Sequence, residues 1–123
     1  MTFKKLFISL AVASFAVASA QATDIKHFKG EKPESLAEAF AILEKYNPQL
    51  ESFISSEPTP QQMAEIHQMT YSLENALKFI DDHLDETQEN LEKVHIASET
   101  MEKETVQEKG KEYLQGTKEL VGK

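Results

Sequence analysis

The residues of this chain best suited to chemistry are four histidines and one methionine: His27, His67, His83, His95 and Met63. Met63 and His67 stand four residues apart, as do His67 and Tyr71, so on a helix each pair shares a face. A thioether beside an imidazole suits copper or a b-type haem. His95, with Leu91, Glu92 and Glu99 on its face, offers a second imidazole. The candidate metal ligands are therefore Met63, His67 and His95, with His27 as a further contributor. The spacing forms no HExxH, no histidine pair at i,i+4 and no CxxCH attachment sequence. The simpler reading, which we favour, has His67 and His95 bordering a helix seam, half-buried and hydrogen-bonded, with no metal or cofactor.

Other chemistries find less support. The chain has no cysteine. Ser35, Ser52, Ser55, Ser56, Ser72 and Ser98 lack the flanking glycines of a strained nucleophile turn, and no glycine-rich phosphate loop occurs. The many carboxylates sit at helix-surface spacing with interleaved lysines. Glu89 with Lys93 and Glu99 with Lys103 are i,i+4 pairs of the kind that line a solvated face. These residues point to a non-enzymatic interaction or binding protein, with a metal- or haem-binding bundle as the competing reading.

The elements that position these side chains are helices. Ser35 and Glu38 form a capping-box pattern. Leu36, Ala39, Phe40, Leu43, Tyr46, Leu50, Phe53 and Ile54 then recur at three- and four-residue steps, the stripe of an amphipathic helix. Pro48 interrupts its hydrogen bonding, but the stripe keeps its phase, which favours a kinked helix over a restart at Asn47. Residues 55–60 read as a turn. Thr59, Pro60 and Gln62 then supply a cap, a first-turn proline and a reciprocal partner. From there Met63, Ile66, Thr70, Leu73, Leu77, Ile80, Leu84, Thr87, Leu91, Val94 and Ser98 alternate three- and four-residue steps.

That alternation is a heptad seam, and it predicts one long helix of about 40 residues ending near Glu99, roughly 60 Å long. Its phase slips after Met101. Val106, Gly110, Tyr113, Thr117 and Leu120 form a shifted seam, so a tight turn at residues 100–102 and a third helix follow. Gly110 and Gly116 each cost a helix about 1 kcal/mol relative to alanine, which makes this helix the least stable element. The predicted fold is an all-α antiparallel bundle of three helices, the first and third lying end to end along the long central one. A break at residues 81–87, where Asp81, Asp82, Asp85 and Thr87 are potential caps, would instead give a compact four-helix bundle. His67 and His95 are four heptads apart, roughly 42 Å on one continuous helix. They share a metal only if the helix folds back or two copies pair antiparallel. Tyr46, Phe53, Tyr71 and Phe79 lie partly off the seams, and a homodimer or another protein partner is expected to cover them.

Export is written into the first residues. Lys4 and Lys5 precede an uncharged apolar run from Leu6 to Val17, too short for a comfortable permanent span. Ala18-Ser19-Ala20 and Ala20-Gln21-Ala22 both offer a small-x-small cleavage pattern. The expected organisation is a Sec-type signal peptide at residues 1–22, cut after Ala20 or Ala22, an extended arm at 23–34 pinned by Ile25 and Phe28, and a helical domain at 35–123. Cleavage takes away two lysines and no acid, deepening a net charge that is already −8. Every basic side chain is lysine and none is arginine, a poor composition for gripping phosphate. Nucleic acid is not an expected partner, nor is stable membrane insertion after cleavage. The expected location is the periplasm.

Three segments carry a family resemblance: His27-Phe28-Lys29-Gly30; Met63-Ala64-Glu65-Ile66-His67 leading into Thr70-Tyr71-Ser72-Leu73-Glu74; and Leu91-Glu92-Lys93-Val94-His95-Ile96-Ala97-Ser98-Glu99. Together they resemble a family of small exported bacterial proteins of unknown function, over most of the mature chain. The resemblance implies a periplasmic helical protein and brings no activity with it. The chain departs from that pattern at Thr100-Met101-Glu102, where such proteins often carry a glycine-containing turn. It is also similar in size and compartment to periplasmic four-helix b-type cytochromes. However, it has no methionine near the start of its first helix and no histidine near the end of its last.

Overall fold

The computed structural model describes residues 28–122. His27, Ile25 and the expected signal peptide lie outside that range. Within it are three helices and no strand: α1 (Leu36–Ile54), α2 (Pro60–Glu99) and α3 (Lys103–Val121). The predicted three-helix architecture with one long central helix is the one observed.

Local chemistry sets the helix ends. The Ser35 hydroxyl accepts the Glu38 N–H at 3.2 Å, while the Glu38 carboxylate accepts the N–H of Glu34, at 2.7 Å, instead of that of Ser35. The box is thus displaced by one residue and still satisfies two amides at the helix start. At α2 the reciprocal box forms in full. Thr59 Oγ1 accepts from the Gln62 N–H at 3.2 Å, and Gln62 Oε1 accepts from the Thr59 N–H at 2.9 Å, with Pro60 in the first turn. Pro48 lies inside α1 without ending it, as the unbroken stripe of apolar residues implies.

Helix α2 runs unbroken for 40 residues, which excludes the compact four-helix alternative. Two of the potential caps between residues 81 and 87 are otherwise engaged. Asp82 holds the Lys78 ammonium at 2.8 Å, a lysine whose pKa is raised chiefly by that hydrogen bond. Thr87 Oγ1 donates back to the His83 carbonyl at 2.8 Å, one helical turn away. Glu89 pairs with Lys93 at 2.7 Å as the spacing suggests. Glu99 does not pair with Lys103, because α2 ends at Glu99; its carboxylate lies 3.3 Å from His95 Nε2 instead.

α1 packs against the first half of α2, where Ala39 and Ile42 meet Ala76, flanked by Leu43, Tyr46, Phe79 and Ile80. α3 packs antiparallel against the second half, with Gly116 on Thr87 and Gly110 near Val94. α1 and α3 approach each other only at their ends, around a groove lined by Leu36, Phe40, Leu120 and Val121. The result is a two-layer plank: α2 forms one layer and the two 19-residue helices the other.

The segment before α1 straps the two layers together. Gly30 sits at φ +70°, and a Cβ there would lie 2.7 Å from the backbone of Tyr71 and Ser72. Only glycine combines that conformation with so close an approach. Ser72 Oγ accepts the Glu31 N–H at 2.9 Å, and Asn75 Nδ2 donates to the carbonyls of Lys29 and Glu31 at 2.9 and 3.0 Å. Phe28 tilts against Tyr71 with ring centroids 5.9 Å apart. Lys45 reaches from α1 to Glu31 at 2.7 Å. That hydrogen bond holds the Glu31 carboxyl below its ordinary pKa. Its small contribution is present above the ordinary carboxylate value and fades as pH falls through the lowered one.

The α2–α3 turn falls where the phase slip places it. The Glu102 N–H reaches the Ala97 carbonyl at 2.9 Å, the long bond of a Schellman motif. Met101 occupies the left-handed position at φ +62° and is largely exposed. An L-residue pays about 1–2 kcal/mol for that conformation. Met101→Gly should therefore raise the unfolding free energy by about 0.5–1 kcal/mol, part of the relief being lost to the unfolded state's added freedom. A urea unfolding curve with an unchanged or lower midpoint would contradict this.

Candidate functional site

The line of α2 that faces its own chain differs from the expected seam by one residue. Ile66, Leu73, Ile80, Thr87 and Val94 lie in the interface as expected. The positions alternating with them are Met69, Ala76, His83, Asn90 and Ala97, where Thr70, Leu77, Leu84, Leu91 and Ser98 were expected. Met69, Ala76, Asn90 and Ala97 are buried, whereas Leu77 is 55 % exposed, Leu84 40 % and Leu91 45 %. Small side chains explain the rotation. Gly116 leaves so little room that a Cβ on it would lie 2.5 Å from Thr87 Oγ1, and Ala39 and Ala76 are both fully buried where α1 crosses α2. Where the backbones come this close, at Ala39 with Ala76 and at Gly116 with Thr87, small residues lie between them and Leu77, Leu84 and Leu91 stand at the edge.

The displaced residues make a site of their own. Met63, Thr70, Leu77, Leu84 and Leu91 recur every seven residues along one edge of α2, and Met63 is 55 % exposed. A seven-residue step advances a helix by nearly two full turns, so these side chains form one stripe about 42 Å long. Single exposed leucines are ordinary, but Leu77, Leu84 and Leu91 repeat in register with Met63 along one edge, and an aligned apolar row of this kind marks a contact surface.

The sequence-predicted ligands border this stripe and are not brought together. His67 is exposed, lies edge-on to Tyr71 with centroids 5.2 Å apart, and has Nε2 3.4 Å from the Tyr71 hydroxyl. His95 is exposed beside Glu99. Because α2 is continuous, the two imidazoles stay four heptads apart, roughly 42 Å. Met63 shares the face of His67 alone. The fold-back that would place both histidines on one metal within a chain is absent from the described residues, where no group of three or more His, Cys, Asp or Glu side chains is placed to hold a metal ion.

His83, noted in the sequence but given no role there, proves the most enclosed of the described histidines. It borders a cavity of about 510 Å³ between α2 and α3, with Glu86, Asn90, Glu112, Gln115 and Glu119. Its Nε2 lies 3.2 Å from the Gly116 carbonyl and 3.9 Å from Glu119 Oε2. A carbonyl can only accept, so Nε2 carries the proton and is not free to bind a metal. This arrangement ties α3 to α2. No local sequence signal points to it, because its partner is a backbone carbonyl on another helix.

Fold and surface thus define a class: an all-helical protein built on a single long helix, with an apolar stripe left open along that helix. The chain belongs to a family of unknown function, DUF6746, matched over residues 1–122. No curated protein and no solved structure matches it. None of the described helices is long and apolar enough to cross a membrane.

Proposed function

We propose that this protein is an exported, periplasmic interaction module without enzymatic activity, and that the stripe from Met63 to Leu91 is its contact surface. One observation carries the reading: Leu77, Leu84 and Leu91 of a long heptad pattern are exposed, while Met69, Ala76, Asn90 and Ala97 beside them are buried in the helix interface. The basic, apolar and small-x-small succession of residues 1–22 supports export. The metal- or haem-binding alternative rests on Met63, His67 and His95 and requires two chains to join His67 to His95.

A photo-crosslinking side chain placed at Leu84, and separately at Glu89 on the polar face, tests this in cells making the full chain. Adducts should form from position 84 and not from 89, on a protein recovered in the periplasmic fraction with its N-terminus at Gln21 or Thr23. Equal adducts from both positions would refute the contact surface. An uncleaved cytoplasmic chain would refute export.

A further inference from the structure

We infer that the partner docking on the leucine stripe is a cationic amphipathic helix, a segment with leucine-like side chains on one face and lysine or arginine beside them. The inference rests on the contact-surface reading above and adds the chemistry of the occupant. The stripe's geometry selects a helix. It follows a seven-residue repeat, winding slowly around α2 by about 20° per heptad as a coiled-coil seam does, and is about 42 Å long, the length of a helix of some 28 residues. An apolar line of this kind is met by a second helix whose side chains repeat at the same interval.

Charge selects its sign. Glu74 and Asp81 lie one turn from the stripe residues, and Asp85 and Glu92 directly follow Leu84 and Leu91. All four are exposed and share the outward flank of the stripe. The one lysine among them, Lys78, is held by Asp82 at 2.8 Å, and Asp81 and Asp85 also raise its pKa. That flank is therefore anionic along its middle, on a chain of net charge −8 that has no arginine.

A second copy fits this surface poorly. Pairing two stripes antiparallel with Leu77 beside Leu84 brings Asp81 next to its own counterpart. Pairing them parallel sets every acid against itself. Like charges facing each other across an interface oppose association, whereas a basic helix gains both steering and complementarity.

The test uses the signal-free chain in fluorescence anisotropy with two labelled 28-residue probes. One places leucines at heptad spacing among lysines; the other has the same leucines among glutamates. The lysine probe should bind, and its affinity should drop at least about tenfold between low and 0.5 M salt. The variant Leu77→Gln/Leu84→Gln, which leaves all charges in place, should weaken it at least about tenfold, because apolar area no longer enters the interface. The variant Glu74→Gln/Asp81→Asn/Asp85→Asn/Glu92→Gln should weaken it comparably. All six positions are exposed, and circular dichroism confirms that helicity is retained. Lysine-probe binding indifferent to the leucine variant is general charge attraction and overturns both this inference and the contact surface. Leucine-dependent binding of the glutamate probe overturns the cationic partner and leaves the surface standing. So does leucine-dependent dimerisation in sedimentation. Failure of the lysine probe to bind overturns the inference.

Discussion

Gly116→Ala should destabilise the protein by about 1–3 kcal/mol, the range for overpacking a tight interface, although alanine is the better helix former by about 1 kcal/mol. The sign follows from what surrounds the new methyl group. It would meet Thr87 Oγ1 at 2.5 Å, Thr87 Cγ2 at 3.3 Å and Thr87 Cβ at 3.4 Å. The overlap is with Oγ1, since Cβ stands close to ordinary contact distance, and turning Oγ1 away has its own cost. The Oγ1 atom is also held by the His83 carbonyl, and Gly116 returns its own carbonyl to His83 Nε2. Either Thr87 gives up its bond to the His83 carbonyl or α3 shifts away from α2, loosening the His83 contact as it goes. Gly110→Ala provides the control. Its nearest neighbour, Val94 Cγ2, stands at 4.0 Å, so the helix-propensity gain should appear undiminished and the protein should become more stable, by up to about 1 kcal/mol. Two glycines on one helix, both facing α2, should thus give opposite signs. Thr87→Ala should rescue Gly116→Ala, with a coupling of at least about 1 kcal/mol in a double-mutant cycle. Urea unfolding reads all four proteins. Stabilisation by Gly116→Ala, or the absence of coupling to Thr87, would refute the close approach of α3 to α2.

Much of the fold was legible because its signals are local. Thr59, Pro60 and Gln62 mark the start of α2 by hydrogen bonding within four residues. The absence of glycine and proline from residue 62 to 109 lets the helix run on. The phase slip after Met101 locates the turn, since the slip is the helix reversing. The rotation of α2 was not legible from apolar pattern alone. Ile66, Leu73, Ile80, Thr87 and Val94 belong to both candidate lines, and the choice between the alternating sets depends on how closely the helices approach. Hydrophobicity favours Leu77, Leu84 and Leu91; the glycines of α3 and the alanines at 39, 76 and 97 favour the neighbouring line. The second set wins because Ala76 and Ala97 let the backbones approach where an isobutyl group would hold them apart, with Met69 and Asn90 buried on the same line. The candidate site was hidden by the same error, since its residues were assigned to the interior. The histidines drew attention by residue type, and their separation along a continuous helix followed directly once α2 was seen to be unbroken. His83 gave no motif because its partner is a backbone carbonyl on another helix, which no local spacing encodes.

Leu73→Ala and Leu77→Ala should differ severalfold in cost, although the heptad pattern ranks the two leucines as equals. Leu73 is 9 % exposed in the interface of α2 and Leu77 55 % exposed on the open stripe. Truncating the first removes a buried side chain and leaves a cavity, at about 2–5 kcal/mol. Truncating the second removes area that water already reaches, at under about 1 kcal/mol, and improves intrinsic helix propensity slightly. Helix propensity changes identically in the two variants, so their difference isolates burial. The most direct measurement is the pair of urea unfolding free energies for Leu73→Ala and Leu77→Ala, taken at a protein concentration low enough to exclude self-association. A loss at residue 73 exceeding that at residue 77 by at least about 1.5 kcal/mol is the predicted result. Equal losses, or a larger one at residue 77, would contradict the rotation of α2, and with it the open leucine stripe.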